Sequence, residues 1–202
     1  KENPVRIDIA GTIESISQIN REVLYKCYNT FYHPSNMVIL VVGDVDHRKV
    51  FEQVEKNIEI KQEKPEIKRI FPEESKEINE NYVEEKLAVA MPIFQAGFRD
   101  NRLNVQGIES LRQEVAVKIL LNMIMGRSSK LYNDLYNEGL INSTFDYDYT
   151  IEESYAHSMF GGESPDPEKV RDKIVKAIED LKTNGLDRNN YERIRKAMKG
   201  RF

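Results

Sequence analysis

The chain has 202 residues, 40% of them hydrophobic and 32% charged, with a formal net charge of −4. That length holds one large or two small domains, and the apolar fraction is enough for a core. The acidic balance argues against a nucleic-acid surface, the single cysteine excludes an internal disulfide, and no apolar run approaches the ~20 residues of a membrane span. A lone cysteine fits a reducing, cytoplasmic compartment. The N-terminus carries no signal-peptide pattern and no initiator Met, which suggests a processed chain or an excised piece.

In chain order, Thr12 is a plausible cap for a short helical turn, and Asn20 can cap a longer helix by accepting from its free first-turn amides. Val23, Leu24, Cys27, Tyr28 and Phe31 recur at helical spacing, so they predict one apolar face with Cys27 as a small core residue. Pro34 forces His33 out of helical geometry and ends that helix. Residues 37–42, "MVILVV", form an apolar, β-branched run that reads as a strand covered on both faces. Gly43 and Asp44 turn the chain, and Asp46 caps a helix that carries Val50, Phe51 and Val54 inward.

Residues 61–79 are charged, contain Pro65 and Pro72 and keep no period, so they read as a linker. Beyond them, "YVEEKLAVAMPIFQAGF" suggests a strand that becomes irregular at Pro92. Residues 108–125 are the strongest helix, with Leu111, Val115, Ile119, Leu120, Met123 and Ile124 facing inward and Gly126 as its stop. Ser128 or Ser129 caps "KLYNDLYNEG", which Gly139 ends in the left-handed position. "INSTFDYDYT" and "SYAHSMFGGES" alternate as two antiparallel strands. Two helices follow, one with Asp166 as cap, Pro167 at its first position and Gly185 as stop, the other capped by Asp187.

Chemistry is sparse. His33, His47 and His157 show none of the i, i+4 pairing that places two imidazoles around zinc on one helical face. There is no HExxH, HxxEH, CxxC or phosphate-loop pattern, and "FGGES" lacks the strand-to-helix context of a phosphate loop. All three histidines therefore read as structural, and no metal ligand is assigned. Tyr132, Tyr136, Tyr147, Tyr149 and Tyr155 allow two readings, packing at element edges or a peptide-binding surface, since tyrosine offers contact area at low entropy cost.

"IAGTIESISQINREVLYKCYNTFYHPSNMVILVVGDVD" resembles the segment of pitrilysin/insulinase-like zinc metallopeptidases in which a "GT-E-I--I" turn, a helix ending "Y-P-NM" and a strand ending "VGD" follow one another. "GRSSKLYNDLYNEGLINSTF" is similar to that family's "G-SS-L---LR---GL-Y" element, and the resemblance is nearest to bacterial, processing-protease-like members. It implies an α+β fold, two-layer, with a mixed or antiparallel sheet and helices packed on it. Further, it implies an internal piece truncated at both ends: residues 1–62 as the end of a catalytic half, 63–79 as a linker, and 80–202 as an incomplete, non-catalytic, substrate-clamping half.

The family's HxxEH and later glutamate ligand lie upstream of the "GT-E-I" turn, so this chain alone is expected to be inactive and to hold no cofactor, with zinc in the full-length parent. Aligned on Gly139 and Leu140, the family's substrate-holding Arg and Tyr fall on Tyr136 and Asn142, with one residue deleted between them. These two are the candidate substrate-binding residues; neither supplies a guanidinium charge. The resemblance implies a zinc peptidase acting on peptides or small proteins. The substitutions leave open a non-catalytic homologue that binds a protein or peptide. Expected partners are a peptide or small-protein substrate and a second copy or paired homologous subunit, with neither nucleic acid nor membrane.

Overall fold

In the computed structural model, which describes residues 2–58, 66–70, 75, 77–103 and 105–200, side-chain oxygens open each α-helix of the N-terminal part. Thr12 and Ser15 form a reciprocal capping box on α1 (Ile13–Ser17). Asn20 Oδ1 accepts from Val23 N at 2.9 Å to start α2 (Arg21–Phe31), and Asp46 Oδ1 accepts from Arg48 N at 3.0 Å to start α3 (His47–Asn57). After α2, His33 Nδ1 accepts from Ser35 N at 3.2 Å and so caps the 3-10 turn Pro34–Asn36.

The chain divides into two units, Lys1–Ser75 and Lys76–Phe202. In the first, residues 37–42 correct the sequence expectation. They pair with no strand among the described residues, and Val38, Leu40 and Val42 are 94%, 84% and 87% exposed. A strand buried on both faces needs hydrogen-bonding neighbours and two covering layers, and the described part of this unit holds helices but no strand. For the same reason the apolar face of α2 is not a core face. Val23, Leu24, Tyr28 and Phe31 are exposed, as is Cys27, which is a free surface thiol rather than a core residue. On α3, Val50 and Val54 are half-buried but Phe51 points outward. Of the expected linker, residues 61–65, 71–74 and 76 lie outside the described residues.

The second unit holds the core. Its sheet runs β1 (Ile93–Asp100), β3 (Ala156–Glu163), β2 (Asp146–Ile151), both pairings antiparallel and β3 central. The expectation for β1 is reversed: residues 82–91 form no element and the strand follows Pro92. Proline has no N–H to donate to a ladder, but the Pro92 carbonyl accepts from Ser164 N at 3.0 Å and leads directly into the Ile93–Glu163 register.

Strand alternation sorts the sheet into two faces. Phe94, Ala96, Tyr149, Ala156 and Phe160 turn toward α4 (Gly107–Met125) and α6 (Pro167–Asn184), meeting Leu121, Ile124, Met125, Val170 and Ile174. Val170 and Ile174 are 0% exposed. Between these helices sits α5 (Lys130–Asn137), started by Ser129 Oγ accepting from Tyr132 N at 3.1 Å, and it contributes Leu135. The last helix, α7 (Arg188–Lys199), packs Ile194 against Ile119 and Met123 of α4. Leu111, expected inside, is exposed near the start of α4. The result is a two-layer α+β unit. The opposite sheet face, with Ile93, Gln95, Gly97, Asp146, Asp148 and Met159, is exposed.

Candidate functional site

Gly139 ends the α5 turn at φ 69, in the left-handed region that glycine tolerates, and sends Leu140 and Ile141 into the core. Asn142 therefore emerges beside the end of β3. Its Nδ2 donates to Glu163 Oε2 at 2.7 Å. Its Oδ1 accepts twice, from Thr144 N at 2.8 Å and from Thr144 Oγ1 at 2.6 Å. Thr144 Oγ1 in turn accepts from Glu163 N at 2.9 Å. The four bonds form a closed net between the 142–145 loop and the last residue of β3. The loop lies directly on Gly162, at φ 152, where a Cβ would stand 2.8 Å from Phe145 Cα and 2.9 Å from Phe145 N.

Tyr136, on the outer side of α5, is 52% exposed. Its ring stacks on Tyr132 at 6.1 Å and 12°, and Tyr132 meets the buried Phe145 edge-on at 6.1 Å. Phe145 N donates to Asn142 O at 3.2 Å. The two sequence candidates are thus linked through Tyr132 and Phe145. Of the other tyrosines, Tyr149 is core and Tyr132, Tyr147 and Tyr155 are half-buried, so Tyr136 is the exposed member of this group of five.

A second polar cluster fixes the other end. Tyr149 OH donates to Asp100 Oδ2 at 2.8 Å, and Gln113 Nε2 faces Asp100 Oδ2, Tyr149 OH and the Arg102 carbonyl at 3.0, 2.9 and 3.2 Å. Burial raises the Tyr149 pKa; the Gln113 bond opposes this and the Asp100 carboxylate adds to it. Gln113 Oε1, on the far side of that amide, is buried without a hydrogen-bond partner.

Sequence reasoning missed Glu163, Thr144 and Phe145. An Asn followed two residues later by Thr is a recognisable signal for a local side-chain to backbone turn. Glu163 had no such signal, because it is brought to Asn142 by strand pairing. A cavity of about 750 Å³ on the helical side, lined by Ile124, Leu131, Leu181, Asn190 and Arg193 among others, includes neither Tyr136 nor Asn142.

Metal chemistry does not fit these side chains. His33 Nδ1 is 2.8 Å from Ser35 Oγ, His47 opens α3, and His157 on β3 stacks on Tyr155. Among the described residues no three His, Cys, Asp or Glu side chains gather into a metal-sized group. No helix among those residues is long and apolar enough to cross a membrane.

Residues 18–198 match the family described as "Peptidase M16 inactive domain". The zinc protease YmfH of Bacillus subtilis, itself termed uncharacterized, is 40% identical over 176 residues, covering 86% of this chain and 41% of that protein. The probable zinc protease PqqL of Haemophilus influenzae is 22% identical over 191 residues, 90% of this chain and 20% of its own length. Among solved structures, an M16-like peptidase from Alicyclobacillus acidocaldarius superposes with a TM-score of 0.90 at 33% identity, over 100% of this chain and 48% of that one. A protease from Helicobacter pylori superposes with a TM-score of 0.72 at 23% identity and shares the fold, over 95% of this chain and 46% of its own. The chain spans less than half the length of each of these relatives.

Proposed function

The chain belongs to the M16 peptidase family, over the part described as its inactive domain, and from that premise we propose that it forms part of the substrate clamp of a zinc-dependent peptidase acting on peptides or small proteins. Zinc and its ligands are then supplied by the rest of the parent protein, in keeping with relatives that are named zinc proteases. Residues 1–62 are the end of the catalytic half, 63–79 the connector and 80–202 the clamp. The paired half or a second copy faces the exposed side of the sheet, and the single cysteine supports a cytoplasmic setting.

One observation carries the clamp reading. Asn142 and Tyr136, which the motif resemblance aligns with the family's substrate-holding positions, sit at the end of a sheet whose helix-free face is exposed. There a half-buried amide can donate to a peptide carbonyl, and an exposed ring can cover an apolar side chain. A fluorescein-labelled, unstructured casein peptide should bind the purified chain, and Asn142→Ala and Tyr136→Ala should each weaken it. Undiminished affinity in both variants removes the reading.

A second reading is favoured by the loss of the guanidinium at position 136. In it, the parent is a non-catalytic homologue that only binds its protein or peptide partner. The sequence ahead of residue 1 separates the two: an HxxEH followed by a glutamate supports the enzyme, and its absence supports the binding subunit.

A further inference from the structure

We propose that Glu163 and Thr144 are positioning residues that turn Asn142 into a one-way hydrogen-bond donor for an uncharged carbonyl oxygen of a bound peptide. This rests on the clamp reading of Asn142 given above. An asparagine amide has two acceptor lone pairs and two N–H donors, and by itself it can rotate to offer either. Here the choice is forced. Thr144 N is a backbone donor and cannot accept, so the atom 2.8 Å from it is the amide oxygen. The Thr144 hydroxyl takes the second lone pair at 2.6 Å; its own proton is directed there because Glu163 N donates to the same hydroxyl at 2.9 Å. The Oδ1 atom is therefore saturated. Glu163 Oε2 takes one Nδ2 hydrogen at 2.7 Å. The remaining hydrogen on Nδ2 lies fixed in the amide plane, on a half-buried side chain.

The carboxylate also sets what this donor can hold. A negative group 2.7 Å from Nδ2 opposes a second negative charge at the same nitrogen, so the site favours a neutral amide carbonyl over the oxyanion of a tetrahedral intermediate. Asn142 then contributes to peptide affinity rather than to stabilising charge in the transition state. The acid at position 163 and the hydroxyl at 144 are as much a part of the site as the amide they hold.

The test separates positioning from binding. In the purified chain, hydrogen exchange of the Asn142 side-chain amide by NMR should show one protected and one fast Nδ2 hydrogen. Glu163→Ala should make both fast, Thr144→Val should do so as well, and Thr144→Ser should restore the pattern. With the labelled casein peptide, Asn142→Ala should weaken binding by about two- to tenfold, as expected for one neutral hydrogen bond. Glu163→Ala and Thr144→Val should match that loss, and Asn142→Ala with Glu163→Ala should be no worse than Asn142→Ala alone. Equal exchange of both hydrogens in the unmodified chain overturns the positioning role. So does unchanged peptide affinity in Glu163→Ala and Thr144→Val while Asn142→Ala is weakened. If the exchange pattern is as stated but Asn142→Ala binds normally, the clamp reading fails while the positioning geometry stands.

Discussion

The Tyr149 hydroxyl donates to the Asp100 carboxylate at 2.8 Å across β3, the strand that separates their own. With Gln113 on the same oxygen at 3.0 Å, this bond ties both edge strands to the long helix above them.

Removing that hydroxyl leaves a half-buried carboxylate and the buried Gln113 amide short of one partner each. Tyr149→Phe should cost about 1.5–3 kcal/mol, the range for a bond to a charged group. Urea unfolding of the two proteins at neutral pH measures it.

The same residue gives a pH dependence. Burial, the largest cause, raises the Tyr149 pKa above its ordinary value of 10.0, so the folded state keeps the proton longer than the unfolded chain. The stabilisation is complete below 10.0 and is lost as pH climbs from there through the raised folded value. Tyr149→Phe should flatten that alkaline decline, and a decline of equal slope in both proteins would count against it.

Core and surface truncations should differ sharply. Ile174 is 0% exposed among Leu121, Phe160 and their neighbours, so Ile174→Ala should cost about 2–5 kcal/mol through lost burial and a residual cavity. Phe51 is 66% exposed, and Phe51→Ala should stay within about 0.5 kcal/mol. Thermal or urea unfolding compares them directly.

Gly162→Ala should destabilise by about 1–3 kcal/mol and loosen the Asn142 net. Its Cβ would press on the Phe145 backbone at 2.8 and 2.9 Å, so the loop must lift. Unfolding midpoints together with the Asn142 amide exchange pattern register both effects.

The purified chain should carry no stoichiometric zinc by elemental analysis. Its histidines sit on separate elements, each in a local structural setting, and tight zinc binding needs a fixed ligand set. One tightly held zinc per chain would contradict this.

What the sequence made legible was local. Thr12, Asn20, Asp46, Ser129, Asp166 and Asp187 all cap the helices they were expected to cap, because a cap bond closes within three residues. The β2–β3 hairpin was also readable, since the alternation and a short turn lie side by side. The position of β1 was not. It depends on pairing with a strand some sixty residues later in the chain, and the run before Pro92 looks equally apolar. Coverage of residues 37–42 failed for a related reason: composition can specify a demand for neighbours without supplying them. At the site, positions 136 and 142 came from motif alignment, whereas Glu163 became visible only once register brought it beside Asn142.

Residues 37–42 have one further consequence, for handling the isolated chain. "MVILVV" has no charge and no proline, is half valine, and stands open to solvent on alternate positions. That is the composition of segments that stack into cross-β fibrils. In storage, ageing should begin at these six residues and should grow with concentration rather than with loss of global stability. A single gatekeeper charge, Val38→Lys or Leu40→Lys, meets water at both positions. It should delay thioflavin-positive aggregation while leaving the unfolding midpoint of the second unit where it was.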